Sequence, residues 1–236
     1  MGAGNWHAGL ATDGDADRIG AVDARGQFVD PHRIFGLILR YLLQKRGLRG
    51  RVVRTVSTTR MIDRIAAEFG LPVVETPVGF NHIADLMRGG DVVMGGEESG
   101  GMSIQGHIPE GDGVLMGLLL LEVMAEAHKP LHVLVDDLLA TYGPAQYART
   151  DMKLRRPVAK AELVRTLVET APDDIAGVAV EEVRDSDGIK YYLADGSWLL
   201  IRPSGTEPVL RVYAEAPNDG RVAALLKFGE AIAAES

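Results

Sequence analysis

Three aspartates alternate with small residues in the loop DGDADR at residues 13–18, a spacing that could hold a metal ion. The carboxylates of Asp13, Asp15 and Asp17 would repel one another if they were packed together without a cation. A divalent cation removes that conflict, and Mg²⁺ prefers oxygen ligands. Two other interpretations stay open for this loop: a solvated acidic turn, and a phosphatase site with Asp13 as nucleophile and Asp15 as acid or base.

A second candidate loop, GGEESGG, occupies residues 95–101. Its glycines allow the backbone to approach a ligand closely. Glu97 and Ser99 alternate, so both side chains can face one pocket. A carboxylate and a hydroxyl suit the hydroxyl groups of a sugar, which both donate and accept hydrogen bonds. The alternative interpretation is a flexible loop with charged tips.

A third candidate loop, RPSGTEP, covers residues 202–208, and Arg211 lies on the strand that follows. A turn containing Ser204, Gly205 and Thr206 can direct amides and hydroxyls at one anion. Arg202 and Arg211 flank the turn and can add bidentate contacts to a phosphate. The alternative here is a rigid hairpin with incidental arginines.

The first part of the chain alternates strands and helices in the way that a parallel α/β sheet requires. The predicted strands are 8–12, 19–23, 51–56, 73–75 and 91–94, and the predicted helices are 31–47, 62–69, 80–88 and 114–127. Asp30 is expected to cap the first helix, and Ser57 or Thr58 the second. Polar clusters follow three of these strands, where ligands gather in such sheets.

The pattern changes after residue 143 and predicts a smaller, separate α+β domain. Its predicted strands are 150–154, 178–183, 189–193, 198–201 and 210–215, and its helices are 160–170 and a final one from about 219. Asp187-Gly188 and Asp195-Gly196 are tight-turn signals between the strands.

Composition limits the partners that this chain could have. The 236 residues carry a net charge of −8 without a basic tail, so nucleic acid and anionic membranes are not expected partners. There is no cysteine, which excludes disulfides and thiol chemistry. The longest apolar run, at residues 114–123, is too short to span a bilayer, and a cytoplasmic location is expected.

The three loops, in this order, resemble those of the α-D-phosphohexomutases, the phosphoglucomutase/phosphomannomutase family. The resemblance implies that residues 1–26 are the tail of a truncated second domain. It further implies that 27–145 form a three-layer third α/β domain, and that 146–236 form the C-terminal α+β domain, which is TATA-binding-protein-like.

The resemblance also implies an activity: interconversion of the 1- and 6-phosphates of glucose or mannose through a bisphosphate intermediate. Mg²⁺ would be held by Asp13, Asp15 and Asp17, and Arg18 would lie beside a catalytic phosphoserine. Glu97, Ser99 and Gly79 would contact the sugar. The phosphate that does not react would be held by Arg202, Ser204, Gly205, Thr206 and Arg211.

The sequence departs from the family pattern at two places. The family's serine loop is absent from the 236 residues, so this chain alone is expected not to turn over hexose phosphate. Asn81 stands where the family usually has a lysine, for which His82 could partly compensate. These departures keep open a non-catalytic sugar-phosphate-binding module. The strands of residues 1–26 are expected to come from a larger sheet and to have unpaired edges, and therefore to be disordered or to self-associate.

Overall fold

The computed structural model describes residues 6–153, 159–204 and 208–235, which form two compact units. The first unit comprises residues 1–143 and the second comprises residues 144–236. Each unit has its own sheets and helices. The three-domain division proposed from the resemblance, with limits after residues 26 and 145, stays a prediction.

The first unit contains two sheets and five helices among the described residues. Its elements are β1 (Ala8–Thr12), β2 (Ile19–Asp23), β3 (Phe28–Val29), α1 (Pro31–Gln44), β4 (Arg51–Thr55), α2 (Met61–Glu68), β5 (Val73–Thr76), α3 (Phe80–Arg88), β6 (Val92–Gly96), β7 (Met102–Ile104), α4 (Gly113–Ala127) and α5 (Leu131–Tyr142). Helix α1 begins as predicted, because the side chain of Asp30 accepts a hydrogen bond from the amide of Arg33 at 3.0 Å.

The four-stranded sheet has the order β5-β4-β6-β7, in which β4 pairs in parallel with β5 and β6. Strand β7 closes one edge in the antiparallel direction. Helices cover both faces, as two neighbouring residues of β6 show. A Cβ added at Gly95 would meet Ile83 of α3 at 2.3 Å, whereas one added at Gly96 would meet Phe35 of α1 at 2.8 Å. The predicted three-layer α/β architecture is therefore confirmed.

Several local predictions in this unit are corrected. Strands β3 and β7 and helix α5 were not predicted. Helix α2 begins at Met61 after Arg60, whose side chain makes no capping hydrogen bond. The amide of Met61 donates to the hydroxyl of Thr59 at 3.0 Å. The hydroxyl of Thr58 instead lies 2.8 Å from that of Thr55, in a buried cluster that the loop forms with itself. The predicted cap at Ser57 or Thr58 is therefore wrong.

The amino-terminal strands β1, β2 and β3 form an antiparallel sheet of their own. Strand β2 alternates buried and half-buried residues, with Ile19 and Ala21 in the core. The sheet lies against α1 and α4. Because these strands pair with one another, the expectation of disorder is wrong for residues 8–23. Self-association stays a prediction.

The second unit is the predicted α+β domain. It comprises β8 (Gln146–Lys153), α6 (Lys160–Glu169), β9 (Asp174–Ile175), β10 (Val178–Arg184), β11 (Ile189–Leu193), β12 (Trp198–Pro203), β13 (Val209–Ala216) and α7 (Asp219–Glu235). The strands form an antiparallel sheet in the order β8-β13-β12-β11-β10-β9. Apolar side chains such as Leu199, Val212 and Leu225 form a core between this sheet and the two helices. The short strand β9 was not predicted.

Candidate functional site

The three aspartates of the metal loop (residues 12–18) converge. Asp13, Asp15 and Asp17 each place one carboxylate oxygen within 4.8 Å of those of the other two. Oδ1 of Asp17 is buried and has no hydrogen-bond partner in the part of the chain that the structure describes. An all-oxygen donor set with an unsatisfied oxygen fits a hard divalent cation such as Mg²⁺.

The guanidinium of Arg18 offsets only part of this negative charge. Its Nε lies 3.5 Å from Oδ2 of Asp13 and 3.6 Å from Oδ1 of Asp17. Burial, followed by the charges of Asp13 and Asp15, raises the pKa of Asp17, and Arg18 opposes that shift. Three carboxylates facing one guanidinium leave a net negative charge, which favours binding of a cation.

The backbone of the loop turns sharply at Ala16, whose φ is 61°. This left-handed conformation is uncommon for a residue other than glycine. Two hydrogen bonds hold it: the Ala16 amide donates to the Asp13 carbonyl at 3.3 Å, and the Gly113 amide donates to the Ala16 carbonyl at 2.8 Å. The turn lets the alternating carboxylates converge. Sequence reasoning identified the loop but missed Gly113.

The backbone joins the metal loop to the sugar loop (residues 95–101). Arg18 forms an isolated antiparallel bridge with Gly101. Next to it, the amide of Ile19 donates to the carbonyl of Gly100 at 3.3 Å. A Cβ at Gly100, where φ is +104°, would lie 2.8 Å from the Ile19 carbonyl oxygen. At Gly100, therefore, glycine permits the two loops to approach each other.

Glu97 connects the sugar loop to the start of α3. Its Oε1 accepts a hydrogen bond from the amide of Gly79 at 2.9 Å. Burial raises the pKa of Glu97, while the Gly79 hydrogen bond and the charge of Arg18 act in the opposite direction. The structure thus brings two predicted sugar-binding residues together. Ser99 is exposed, and His82 is half-buried in the first turn of α3.

His107, a lone histidine in the loop before α4, has a structural role in this molecule. Its Nε2 lies 2.9 Å from Oδ2 of Asp112. Oδ1 of the same aspartate accepts a hydrogen bond from the amide of Leu115 at 2.8 Å and caps α4. The histidine therefore supports a helix cap.

In the second unit, Arg202 and Arg211 are direct cross-strand neighbours on β12 and β13. Like charges in this position destabilise a sheet unless an opposite charge lies close. Arg202 donates to Oδ2 of the buried Asp187 at 2.8 Å, and Nε of Arg211 lies 3.7 Å from Oδ2 of Asp151. Sequence reasoning identified the arginines and missed both aspartates.

The loop between these strands is closed at its base by the amide of Ser204, which donates to the carbonyl of Val209 at 2.8 Å. The predicted phosphate-binding residues Gly205 and Thr206 lie outside the described residues.

Among the residues that the structure describes, none of the helices combines the length and apolarity needed to cross a membrane.

The structure therefore places an acidic loop that fits a divalent cation beside the glycine-rich loop of residues 95–101, which follows a strand of the α/β sheet. Family models identify the particular family. Phosphoglucomutase/phosphomannomutase alpha/beta/alpha domain III matches residues 30–142, and the C-terminal domain of the same family matches residues 157–228. The chain belongs to the α-D-phosphohexomutase family, as the sequence motifs predicted.

Individual relatives agree with this assignment. A phosphoglucosamine mutase from Methanococcus aeolicus is 36% identical over 227 residues, which cover 96% of this chain and 48% of that protein. A phosphoglucomutase/phosphomannomutase from Thermococcus kodakarensis is 31% identical over 221 residues, which cover 94% and 46%. The chain spans about half the length of the curated relatives it matches.

Solved structures share the fold. A phosphoglucomutase/phosphomannomutase family protein from Burkholderia thailandensis is 26% identical with a TM-score of 0.80, and the match covers 98% of this chain and 47% of that one. An N-acetylphosphoglucosamine mutase from Aspergillus fumigatus, solved in complex with GlcNAc-6P and magnesium, is 20% identical with a TM-score of 0.64; the match covers 99% and 50%.

Proposed function

We propose that this chain supplies the metal-binding and sugar-binding part of a phosphohexomutase that interconverts hexose 1-phosphates and 6-phosphates through a bisphosphate. The observation that carries the proposal is the junction of the metal loop with the sugar loop, made by the bridge between Arg18 and Gly101. Membership of the phosphohexomutase family supports the reaction class.

The proposal assigns a role to five candidate site residues of the first unit. Asp13, Asp15 and Asp17 would hold Mg²⁺, which when bound stabilises the charge of a phosphoryl group during its transfer. Arg18 stays within ion-pair distance of two of these carboxylates and would orient a phosphate beside them. Glu97 would accept hydrogen bonds from sugar hydroxyls with the carboxylate lone pairs that Gly79 leaves available.

In the second unit, the phosphate that does not react would bind at the loop of residues 202–208. Arg202 and Arg211 lie side by side and present two guanidinium groups. Arginine forks match phosphate oxygens in pairs. Ser204 would add a hydroxyl and, with Gly205 and Thr206, complete the predicted anion site.

Residues 1–236 contain no serine loop of the family type, so we propose that the phosphoserine comes from a domain outside these residues. The chain by itself then binds hexose phosphate without turnover. A sugar-phosphate-binding module with no catalytic role is the second candidate, favoured by the neutral, exposed Asn81 in the first turn of α3.

The sugar is proposed to be a hexose phosphate of the glucose or mannose type, as the residues Glu98 and Gly100-Gly101 suggest by resemblance. Phosphoglucosamine mutases stand among the relatives, so glucosamine 6-phosphate belongs in the same test. Competition among the three sugar phosphates for binding to the chain would rank their affinities.

Calorimetric titration of the chain with glucose, mannose and glucosamine 6-phosphates, in the presence of Mg²⁺, tests the proposal. We expect heat of binding that is lost in Arg202→Gln and retained in Arg165→Gln, a matched change at another arginine of the second unit. A coupled assay on the same sample should show no sustained turnover. The absence of heat with all three sugars contradicts the proposal, and sustained turnover contradicts the external phosphoserine.

A further inference from the structure

The amino-terminal end of α4 lies against the metal loop and is bonded to it. The first N–H groups of an α-helix find no partner inside the helix. Here the amide of Gly113 donates to the Ala16 carbonyl at 2.8 Å, and the amide of Leu115 donates to the capping carboxylate of Asp112 at 2.8 Å. One helix donor is therefore used to hold the loop that carries the three aspartates.

This approach leaves no space for a side chain at two glycines. A Cβ added at Gly113 would lie 2.2 Å from the carbonyl oxygen of Arg18, and one added at Gly111 would lie 2.7 Å from that of Asp17. Both distances are below 3.0 Å, and real Cβ atoms essentially never make contacts shorter than this. The obstacles are backbone atoms, so a side chain at either position would displace the metal loop itself.

The Ala16 carbonyl, which Gly113 holds, belongs to the residue that sets the positions of the neighbouring carboxylates. Ala16 lies between Asp15 and Asp17, and its φ of 61° sets the direction in which the chain leaves each of them. A non-glycine residue in this conformation persists only where its surroundings fix it. Release of the Ala16 carbonyl would allow φ to return to the negative region and would separate the carboxylates.

We propose that Gly113, assisted by Gly111, is a positioning residue for the metal site: it holds the Ala16 turn so that the three carboxylates converge. The inference rests on the proposed function, since it concerns the cation that the loop would bind. Gly113 itself touches no ligand and acts through the backbone of the loop.

The test compares three glycine-to-alanine variants of the 236-residue chain, with Mn²⁺ as the probe and electron paramagnetic resonance as the readout of free ion. We expect Gly113→Ala to lower the Mn²⁺ affinity about 10- to 100-fold, the range seen when residues supporting metal ligands are changed. Gly111→Ala should lower it less, because its added Cβ is less crowded.

Gly117→Ala is the matched control, one turn further along α4. Its Cβ would meet only side-chain tips, at 3.2 Å from Leu10 and 3.5 Å from Ile19. Alanine favours helix over glycine in both α4 variants, so propensity does not distinguish them. We expect the affinity of this control to stay within about twofold of the parent chain, as for a change without a destabilising mechanism.

Amide hydrogen exchange without metal gives a second readout. Arg18 and Ile19 donate amide hydrogen bonds within and beside the loop. Their exchange should accelerate in Gly113→Ala and stay unchanged in Gly117→Ala, with the far-ultraviolet circular dichroism of both variants preserved. Should Gly113→Ala not fold, Gly111→Ala decides the matter by the same two readouts.

The outcomes separate the two proposals. Equal Mn²⁺ affinity in a folded Gly113→Ala chain and the parent chain overturns the positioning role and leaves the proposed function intact. A parent chain that binds no Mn²⁺ overturns the proposed metal site, and the positioning role falls with it.

Discussion

Replacing Asp17 with asparagine distinguishes two interpretations of the loop, a metal site and an ordinary acidic turn. The substitution keeps the shape of the side chain and removes one of three neighbouring negative charges. In a metal site the charge destabilises the chain without the ion and is required for the ion to bind. We therefore expect Asp17→Asn to preserve the stability of the metal-free chain and to abolish its stabilisation by Mg²⁺.

The size of the first effect follows from the geometry. The Asp17 side chain is 38% exposed while its Oδ1 is buried, so the dielectric constant of water gives a lower limit for each pairwise energy. At the 4.8 Å limit of separation, each of its two carboxylate repulsions is worth about 0.9 kcal/mol. The attraction to Arg18 at 3.6 Å is worth about 1.2 kcal/mol. The difference favours Asp17→Asn by about 0.6 kcal/mol in the absence of metal.

The second effect follows from linkage between binding and folding. A ligand at one hundred times its dissociation constant stabilises the folded state by about 2.7 kcal/mol. Urea denaturation of the parent chain with and without saturating Mg²⁺ should show a shift of this order. Asp17→Asn should show none, whereas the control Asp185→Asn, at an exposed aspartate in the second unit, should keep it.

Two results would refute the reasoning. One is a parent chain whose unfolding midpoint does not respond to Mg²⁺. The other is an Asp17→Asn chain with the same Mg²⁺-dependent shift as the parent chain, which would place the responsible ion elsewhere.

Three further changes have expected outcomes in urea denaturation. Gly95→Ala should lower the free energy of unfolding by about 1–3 kcal/mol, because the new Cβ would lie 2.3 Å from Cγ2 of Ile83. Ile83→Ala in the same chain should restore part of this loss. Unchanged stability of the single variant would contradict the packing. Arg54→Met should lower the free energy of unfolding by about 3–5 kcal/mol, because Arg54 is buried and paired with Asp63 at 2.6 Å. A loss below about 1 kcal/mol would contradict a stabilising role for this ion pair. Burial raises the pKa of Glu97 above its ordinary value, so the folded chain binds this proton more readily than the unfolded chain does. Stability should therefore rise as the pH falls through the raised pKa toward the ordinary value. Glu97→Gln should reduce that rise, and an unchanged pH dependence would contradict the assignment.

Local sequence signals predicted those parts of the fold that depend on neighbouring residues. Asp30 and Pro31 marked the start of α1 because a cap and a fixed φ act within one turn. The turn at Asp187-Gly188 was predicted in the same way, and Gly188 has a φ of +92°. The motif loops were identified from their residue types, and the meeting of Gly79 with Glu97 could be expected because both follow strands of the parallel sheet. The metal loop joins two strands of a separate sheet, so its contact with the sugar loop could not be expected in this way.

Contacts between distant residues were not predictable from one sequence. The same Asp187 that signals a turn is also the partner of Arg202, fifteen residues away. Gly113 supports the metal loop from ninety-seven residues beyond Ala16, and nothing in its local sequence indicates the contact. Strands as short as β3 leave no periodicity to detect, since a two-residue strand completes one alternation.

The central claim is that the metal loop and the sugar loop form one site for a cation and a hexose phosphate. Mn²⁺-induced relaxation of the ring protons of glucose 6-phosphate, measured by nuclear magnetic resonance in the presence of the chain, tests it most directly. We predict relaxation well above that of the Mn²⁺–sugar mixture without protein, and its loss in Asp17→Asn. Saturable sugar binding with no added relaxation, or equal relaxation in the variant, would contradict the account.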